Sequence, residues 1–311
     1  MVASSDQAFN WSIDGGASGI GLAAARIFAH RGANVTVLDI VPIDDYFDIF
    51  EVPGKTTGPS PLQGEPSGSI SYRYCDVTDW ESLRDIFLSF EHIDIAVANA
   101  GVSQDPGYFD DVLDENGKLA EPQHLVVDVN FRSVLNFAKL AVRQSRKQKT
   151  ASSLVVTTSI LGYCPEQSLP VYSATKLGLI GLIRGLRPMA GMYGMTINGV
   201  APGTTMSKLL PRDIAAMVQA AGLPISSAYH VGLAVVYSAV AQQPHAVAAY
   251  GKDDPAKTSS PGRWNGRIIL TVEDRYTEIE EAHAALRPQW FGAKNSEIMA
   301  QQQKSTDMRE M

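Results

Sequence analysis

The chain has 311 residues, 45% of them hydrophobic, and a formal net charge of −7. That apolar content can fill a sizeable core, while the acidic balance gives no long-range attraction for nucleic acid or anionic membranes. Cys75 and Cys164 are the only cysteines and lack partner ligands at metal spacing, which argues against a disulfide scaffold or a zinc site.

The first ten residues hold no basic segment followed by an apolar core, and no later stretch offers about 18 uninterrupted apolar residues. A cytoplasmic protein without membrane contact is expected. Residues 8–13 read as the first strand. Gly15-Gly16-Ala17-Ser18-Gly19-Ile20-Gly21 follows and opens a helix over 20–31. A pyrophosphate-binding turn stands in this place: glycines let the backbone approach the phosphates, and the helix N-terminus offers free N–H groups and partial positive charge. An ordinary glycine-rich turn would share the composition. The second strand, 35–38, ends at Asp39, 18 residues beyond Gly21, close to the separation of an acid that accepts hydrogen bonds from an adenosine ribose. Its charge would repel the 2′-phosphate of NADP, and Ile40, Val41 and Pro42 bring no cation to offset it, so NAD is the expected cofactor. A solvated strand-end acid is the plainer alternative.

Residues 52–69 are rich in Pro and Gly and read as an exposed loop insertion within one domain, since βα units resume on both sides. Strand 70–74, helix 80–90, strand 93–98 and a long helix over 122–148 follow. Arg143, Arg146, Lys147 and Lys149 near its end read as a solvated helix terminus rather than a nucleic-acid patch. Strand 154–158 leads to Ser159, and a helix over 172–193 contains Pro188, so a bend is expected near 184–188. Strand 196–200, helix 229–242 and strand 268–272 complete the pattern. Beyond Trp290 the composition turns polar, so residues 1–290 are expected to form one domain and 291–311 a loosely ordered tail. The alternation implies an α/β fold, a doubly wound parallel sheet of about seven strands.

Tyr172 and Lys176 stand four residues apart at a helix start, so both project from one face toward a common cleft. Ser159 lies 13 residues earlier, at a strand end. A phenol titrating near 10 is a poor base at neutral pH, but a nearby ammonium favours the phenolate. Lys176 is therefore expected to hold the Tyr172 phenol well below its ordinary value. A half-buried aromatic beside a snorkelling lysine would leave the same pair.

The glycine turn, Asn99-Ala100-Gly101, Ser159, Tyr172-Ser173-Ala174-Thr175-Lys176 and Pro202-Gly203 occur in this order. On these motifs the chain resembles the short-chain dehydrogenase/reductase family over about residues 10–275. The resemblance implies a single-domain Rossmann-type enzyme that transfers hydride between NAD and a CH–OH group. In it Tyr172 is general base in oxidation and acid in reduction, Ser159 holds the substrate oxygen, and Lys176 also grips the nicotinamide ribose. Asn130, in Asp128-Val129-Asn130-Phe131, matches the family's fourth catalytic position, which anchors a proton-relay water; a buried helix amide is the alternative. The resemblance further implies that Gly15, Ser18, Gly19, Ile20 and Gly21 contact the cofactor together with Asp39. Asp76 and Val77 would meet adenine, Asn99, Ala100 and Gly101 would pack along the cofactor, and Pro202, Gly203 and Thr205 would lie near the carboxamide. It also implies a homodimer or homotetramer joined through the helices 122–148 and 172–193. Two positions depart from the family pattern: Asp14 stands where threonine is usual, and Ser207 where threonine is frequent. Asp14 can still accept backbone hydrogen bonds, but it brings a charge to the cofactor turn.

The loops 103–121, 160–171 and 204–227 fall at C-terminal strand ends, where such a fold binds its ligand. Leu161, Tyr163, Cys164, Leu169, Met206 and Leu209 give them an apolar lining short of cations. A lipophilic secondary alcohol or ketone fits that lining better than a phosphorylated sugar, although any one of these residues could simply pack a loop. The extended C-terminal segment looks like those of fungal members, many of which act on terpenoid or polyketide alcohols of secondary metabolism. Two other outcomes share these motifs: a cofactor-binding regulator or scaffold without turnover, and an epimerase using transient oxidation. Net NADH production separates dehydrogenation from both.

Overall fold

The computed structural model describes residues 10–52 and 61–309. Residues 8, 9 and 53–60 of the first-strand and loop readings lie outside the described residues, as do 310 and 311. The first half alternates β1 (Asn10–Asp14), α1 (Gly19–His30), β2 (Asn34–Asp39), β3 (Ser69–Tyr74), α2 (Trp80–Ser89) and β4 (Ile95–Ala98). It continues through α3 (Leu125–Val127), a π-helical turn at Asp128–Arg132, α4 (Ser133–Gln148) and β5 (Ser152–Thr157). After a 3-10 turn at Ile160–Gly162 come α5 (Pro170–Gly191), β6 (Met195–Pro202), α6 (Arg212–Ala220) and α7 (Ala228–Val240). A small ribbon pairs β7 (Gln242–Gln243) with β8 (Gly262–Arg263), with α8 (Pro255–Thr258) between them. Last are β9 (Ile268–Val272), β10 (Arg275–Glu278), α9 (Glu280–Ala285), α10 (Arg287–Phe291) and α11 (Ala293–Thr306).

The main sheet has eight strands in the order β10-β9-β6-β5-β4-β1-β2-β3, parallel except for β10. Helices cover both faces, which is why the central strands are apolar throughout rather than alternating. On one face Ile27 and Phe28 of α1 and Val231 and Val235 of α7 pack on Val35 and Val97. On the other, Phe87, Phe137, Leu179 and Ile183 from α2, α4 and α5 pack on Leu154 and Val156. The chain leaves β1 toward β2 on one side, and β4 lies on its other side. The loops after β1 and β4 therefore diverge and open a crevice at the C-terminal ends of the strands.

The departures from the sequence reading have local causes. The eighth strand, β10, is short and charged and pairs antiparallel with β9 across the two-residue turn Glu273-Asp274, with Glu273 at φ 57°. The long helix begins at Leu125, not 122, and is interrupted by the π-helical turn that carries Asn130. Within the segment 204–227, read as loop, α6 forms with Ala215 as its buried residue. The C-terminal tail is not loose: α11 forms, and its end is anchored where Asp307 accepts from the Lys252 N–H (3.0 Å) and Arg309 pairs with Asp253 (2.7 Å). Arg309 also donates to the Pro188 carbonyl (3.4 Å), and α5 runs through Pro188 to Gly191. Among the described residues, no helix is long and apolar enough to cross a membrane, and no cluster of His, Cys, Asp and Glu could hold a metal ion.

Candidate active site

The crevice is a cleft of about 690 Å³ that runs from the glycine turn to the start of α5. At Gly15, with φ +58°, a Cβ would lie 2.6 Å from the Ala100 Cα, and at Gly21 it would collide with the Gly15 carbonyl. Only glycine lets β1, α1 and β4 close on one another here. Ser18 precedes α1 in extended backbone without a capping side-chain bond. The N–H groups of Gly19 and Ile20 thus open the helix at the cleft wall.

Asp14 closes this corner from below. It is 1% exposed, and its Oδ1 accepts from the N–H groups of Asn99 and Ala100 (2.7 Å for the latter). The hydrogen-bonding task of the usual threonine is therefore kept. The Asp14 Oδ2, also buried, has no partner among the described residues. Burial pushes the carboxyl up to about 6 against the pull of the two backbone bonds. The Asn99 amide ties the corner together, donating to the Gly15 carbonyl (2.9 Å) and accepting from Thr157 Oγ1 (3.0 Å).

Beside the glycine turn, Asp39 ends β2 at the cleft wall, its Oδ2 accepting from the Ala17 N–H at 3.1 Å. Asp76 and Val77 also line the cleft, and Asp76 is oriented by the Thr78 N–H (2.9 Å) and hydroxyl (2.7 Å). Gly203, whose N–H donates to the Thr271 carbonyl (2.8 Å), lies on the wall with Pro202 and Thr205. This cradle of close-packed glycines, helix N-terminal N–H groups and a carboxylate at the end of β2 fits a nicotinamide dinucleotide.

At the other end, Ser159, Tyr172 and Lys176 share the same wall. Ser159 is 7% exposed, and its Oγ accepts from the Leu161 N–H (3.1 Å) at the start of the 3-10 turn. The Lys176 Nζ lies 5.6 Å from the Tyr172 ring centroid and donates to the Thr157 carbonyl (3.0 Å). Burial pushes Lys176 down to about 8, partly opposed by Asp14. The expected depression of the Tyr172 phenol is not found in the chain alone: burial raises it, and a hydrogen bond with Ser159 only partly opposes that rise. The Lys176 ammonium is turned to the Thr157 carbonyl instead. Asn130 is fully buried and its amide is engaged twice with Val102, accepting from its N–H and donating to its carbonyl (2.8 Å each). A Cβ at Gly101 would sit 3.5 Å from Asn130 Oδ1 and 3.8 Å from Lys176 Nζ, so these two polar atoms converge on that glycine.

Of the residues expected at the substrate, Leu161, Leu169 and Leu209 line the cleft. Tyr163, Cys164 and Met206 do not. The Tyr163 hydroxyl donates to buried Glu280 (2.7 Å), which also pairs with Arg184 (2.7 Å). Cys164 is an exposed free thiol, and Met206 packs with Ala215 and Ile225 beneath α6. One positioning residue escaped the sequence reading. Gln104, 4% exposed, accepts with its Oε1 from the N–H groups of Val171 (2.7 Å) and Tyr172 (3.1 Å). It caps α5 from another loop, since Leu169 at the helix start has no capping side chain. Its only signal in the sequence is a polar residue within the 103–121 loop.

A family profile described as short chain dehydrogenase matches residues 12–216. The chain is 50% identical over 297 residues to short-chain dehydrogenase/reductase prx4 of Penicillium roqueforti, covering 96% of this chain and 84% of that protein. It is 42% identical over 299 residues to short-chain dehydrogenase/reductase ATR7 of Stachybotrys chlorohalonatus, covering 96% and 87%. A solved short-chain type dehydrogenase/reductase from Mycobacterium marinum superposes with a TM-score of 0.61 at 20% identity, over 86% of this chain and 95% of that one, a likeness of fold. The chain belongs to the short-chain dehydrogenase/reductase family. It is an oxidoreductase of a family that binds nicotinamide cofactors.

Proposed function

We propose that the protein is a cytosolic, NAD-dependent dehydrogenase or ketoreductase acting on a lipophilic secondary alcohol and its ketone, of the terpenoid or polyketide kind. The observation that carries the reading is the placement of Ser159, Tyr172 and Lys176 at one end of the cleft whose other end is the Gly15–Gly21 turn. A bound nicotinamide supplies or accepts the hydride. In oxidation the Tyr172 phenolate oxygen takes the substrate hydroxyl proton, and in reduction the phenol returns it. The Ser159 hydroxyl donates to the substrate oxygen and fixes its distance from Tyr172. Val102, Ile160, Leu161, Leu169, Leu209 and Leu210 supply an apolar wall for the rest of the molecule. The test is a panel of lipophilic secondary alcohols incubated with NAD while the absorbance of the reduced nicotinamide is followed. A panel of phosphorylated sugars turned over in preference would overturn the substrate class.

NAD is the favoured cofactor because a 2′-phosphate beside Asp39 would meet like charge at close range, and Ile40 and Val41 offer no compensation. The expected result in calorimetry is an affinity for NADH about tenfold or more above that for NADPH. Equal affinities would remove Asp39 from its role.

Assembly is proposed through α4 and α5. The outer edge of α5 exposes Leu177 and Met189 with Gly181 and Gly185 between them. A Cβ at Gly181 meets nothing within 4 Å, so Gly181→Trp leaves the subunit fold intact while blocking close approach of a second copy. Sedimentation should show dimers or tetramers for the natural chain and monomers for the variant; identical profiles would place the interface elsewhere.

A further inference from the structure

We propose that Lys208 is a ligand for the pyrophosphate of the bound dinucleotide, exchanging its present partner Asp44 for the phosphates when the cofactor enters. The proposal rests on the dehydrogenase reading above. The Lys208 Nζ lies 2.9 Å from the Asp44 Oδ2, with both side chains partly exposed, 56% and 28%. Asp44 is itself fixed to the glycine turn, its N–H donating to the Ala17 carbonyl (2.9 Å). The residue before Lys208 closes on the same turn: a Cβ at Gly19 would lie 3.1 Å from that of Ser207. The segment bearing Lys208 thus leans directly over the helix N-terminus that faces the phosphates. A second, exposed ion pair, Arg212 with Glu51 (3.1 Å), links the start of α6 to the segment after β2.

Charge balance points the same way. Among the described residues that line the cleft, the only cations are Lys176 and Lys208, against Asp39 and Asp76. Lys176 is buried at the catalytic end and donates to Thr157. A pyrophosphate, carrying two negative charges, is left with the backbone N–H groups of the turn and the Lys208 ammonium. An exposed lysine–carboxylate pair is worth little, because water and salt screen it. Exchanging it for a doubly charged group in a partly closed cleft therefore favours binding. Lysine suits the exchange, being a point charge on a flexible stem. The 2′-position of the adenosine ribose is a poorer destination, since on the reading above Asp39 occupies it with like charge.

Calorimetry with NADH, ADP-ribose and NADPH on the full chain tests this. Lys208→Met should weaken NADH and ADP-ribose alike by about tenfold, as expected for the loss of one charge-assisted contact. Lys208→Arg should keep most of the affinity. Asp44→Asn, which preserves an acceptor for the turn but removes the competing charge, should tighten NADH about twofold or more. The affinity of the natural chain should also fall more steeply with added salt than that of Lys208→Met. An NADH affinity for Lys208→Met within twofold of the natural chain overturns the proposal. A loss confined to NADPH also overturns it, because it would assign Lys208 to the 2′-phosphate. Failure of the natural chain to bind any of the three ligands would instead overturn the dehydrogenase reading on which the proposal rests, and the proposal with it.

Discussion

Tyr172→Phe lowers turnover by about 10³-fold while dinucleotide affinity and thermal stability stay near those of the natural chain. On the proposed reading the phenol oxygen takes or returns the substrate proton, and positioned proton transfer is worth about 10² to 10⁴ in rate. The ring remains, so packing against the Lys176 stem is kept, and the hydrogen bond lost is the one with Ser159. The pH profile supplies a second readout. Oxidation on this reading needs the phenolate, and burial raises the phenol above its ordinary value, so the rate should climb as pH rises above neutral. Lys176, held down to about 8, loses its ammonium over the same range and limits that climb. In Tyr172→Phe the residual rate should be flat with pH. A variant that retains a tenth of the natural rate, or the same rising limb, would move the proton-transfer role to another group.

The parts of this molecule that could be read from the sequence are those fixed by short spacings. The glycine turn declares itself because Gly15, Gly19 and Gly21 fall at the junction of one strand and one helix, and Tyr172 and Lys176 share a face because four residues span about one helical turn. Apolar runs gave the central strands for the same reason. What escaped depends on contacts between distant segments. Gln104 acts on a helix start 67 and 68 residues away. Tyr163 was expected at the substrate, but Glu280, 117 residues further on, takes its hydroxyl. The sheet edge at β10 is held by pairing with β9 and not by any apolar pattern of its own. The π-helical turn at Asn130 is likewise set by packing, where both atoms of a buried amide must meet Val102.

Asp14→Asn should change the pH dependence of stability, and the sign follows from burial. The folded chain holds the Asp14 carboxyl up to about 6, whereas an exposed aspartate titrates near 3.9. Between those values the folded state binds the proton and the unfolded state has released it, so stability falls as pH rises through this window. The cost of the ionised form is fully present above about 6 and disappears as pH drops toward the unfolded value. Its size is about 3 kcal/mol, from about two units at 1.36 kcal/mol each. Asparagine keeps the acceptor for the Asn99 and Ala100 N–H groups and carries no charge. It also leaves one buried amide end facing the region where Oδ2 has no partner, a cost that does not vary with pH. The comparison should therefore be made as a difference. Between pH 4.5 and 8 the variant should gain about 2 kcal/mol on the natural chain in denaturant unfolding, since part of the titration lies below 4.5. Parallel stability curves across that range would mean that Asp14 is held by partners strong enough to cancel its burial. Asp14→Thr, the residue usual at this position in the family, should show the same convergence at low pH, because it too removes the titrating group and keeps an acceptor oxygen at the end of β1.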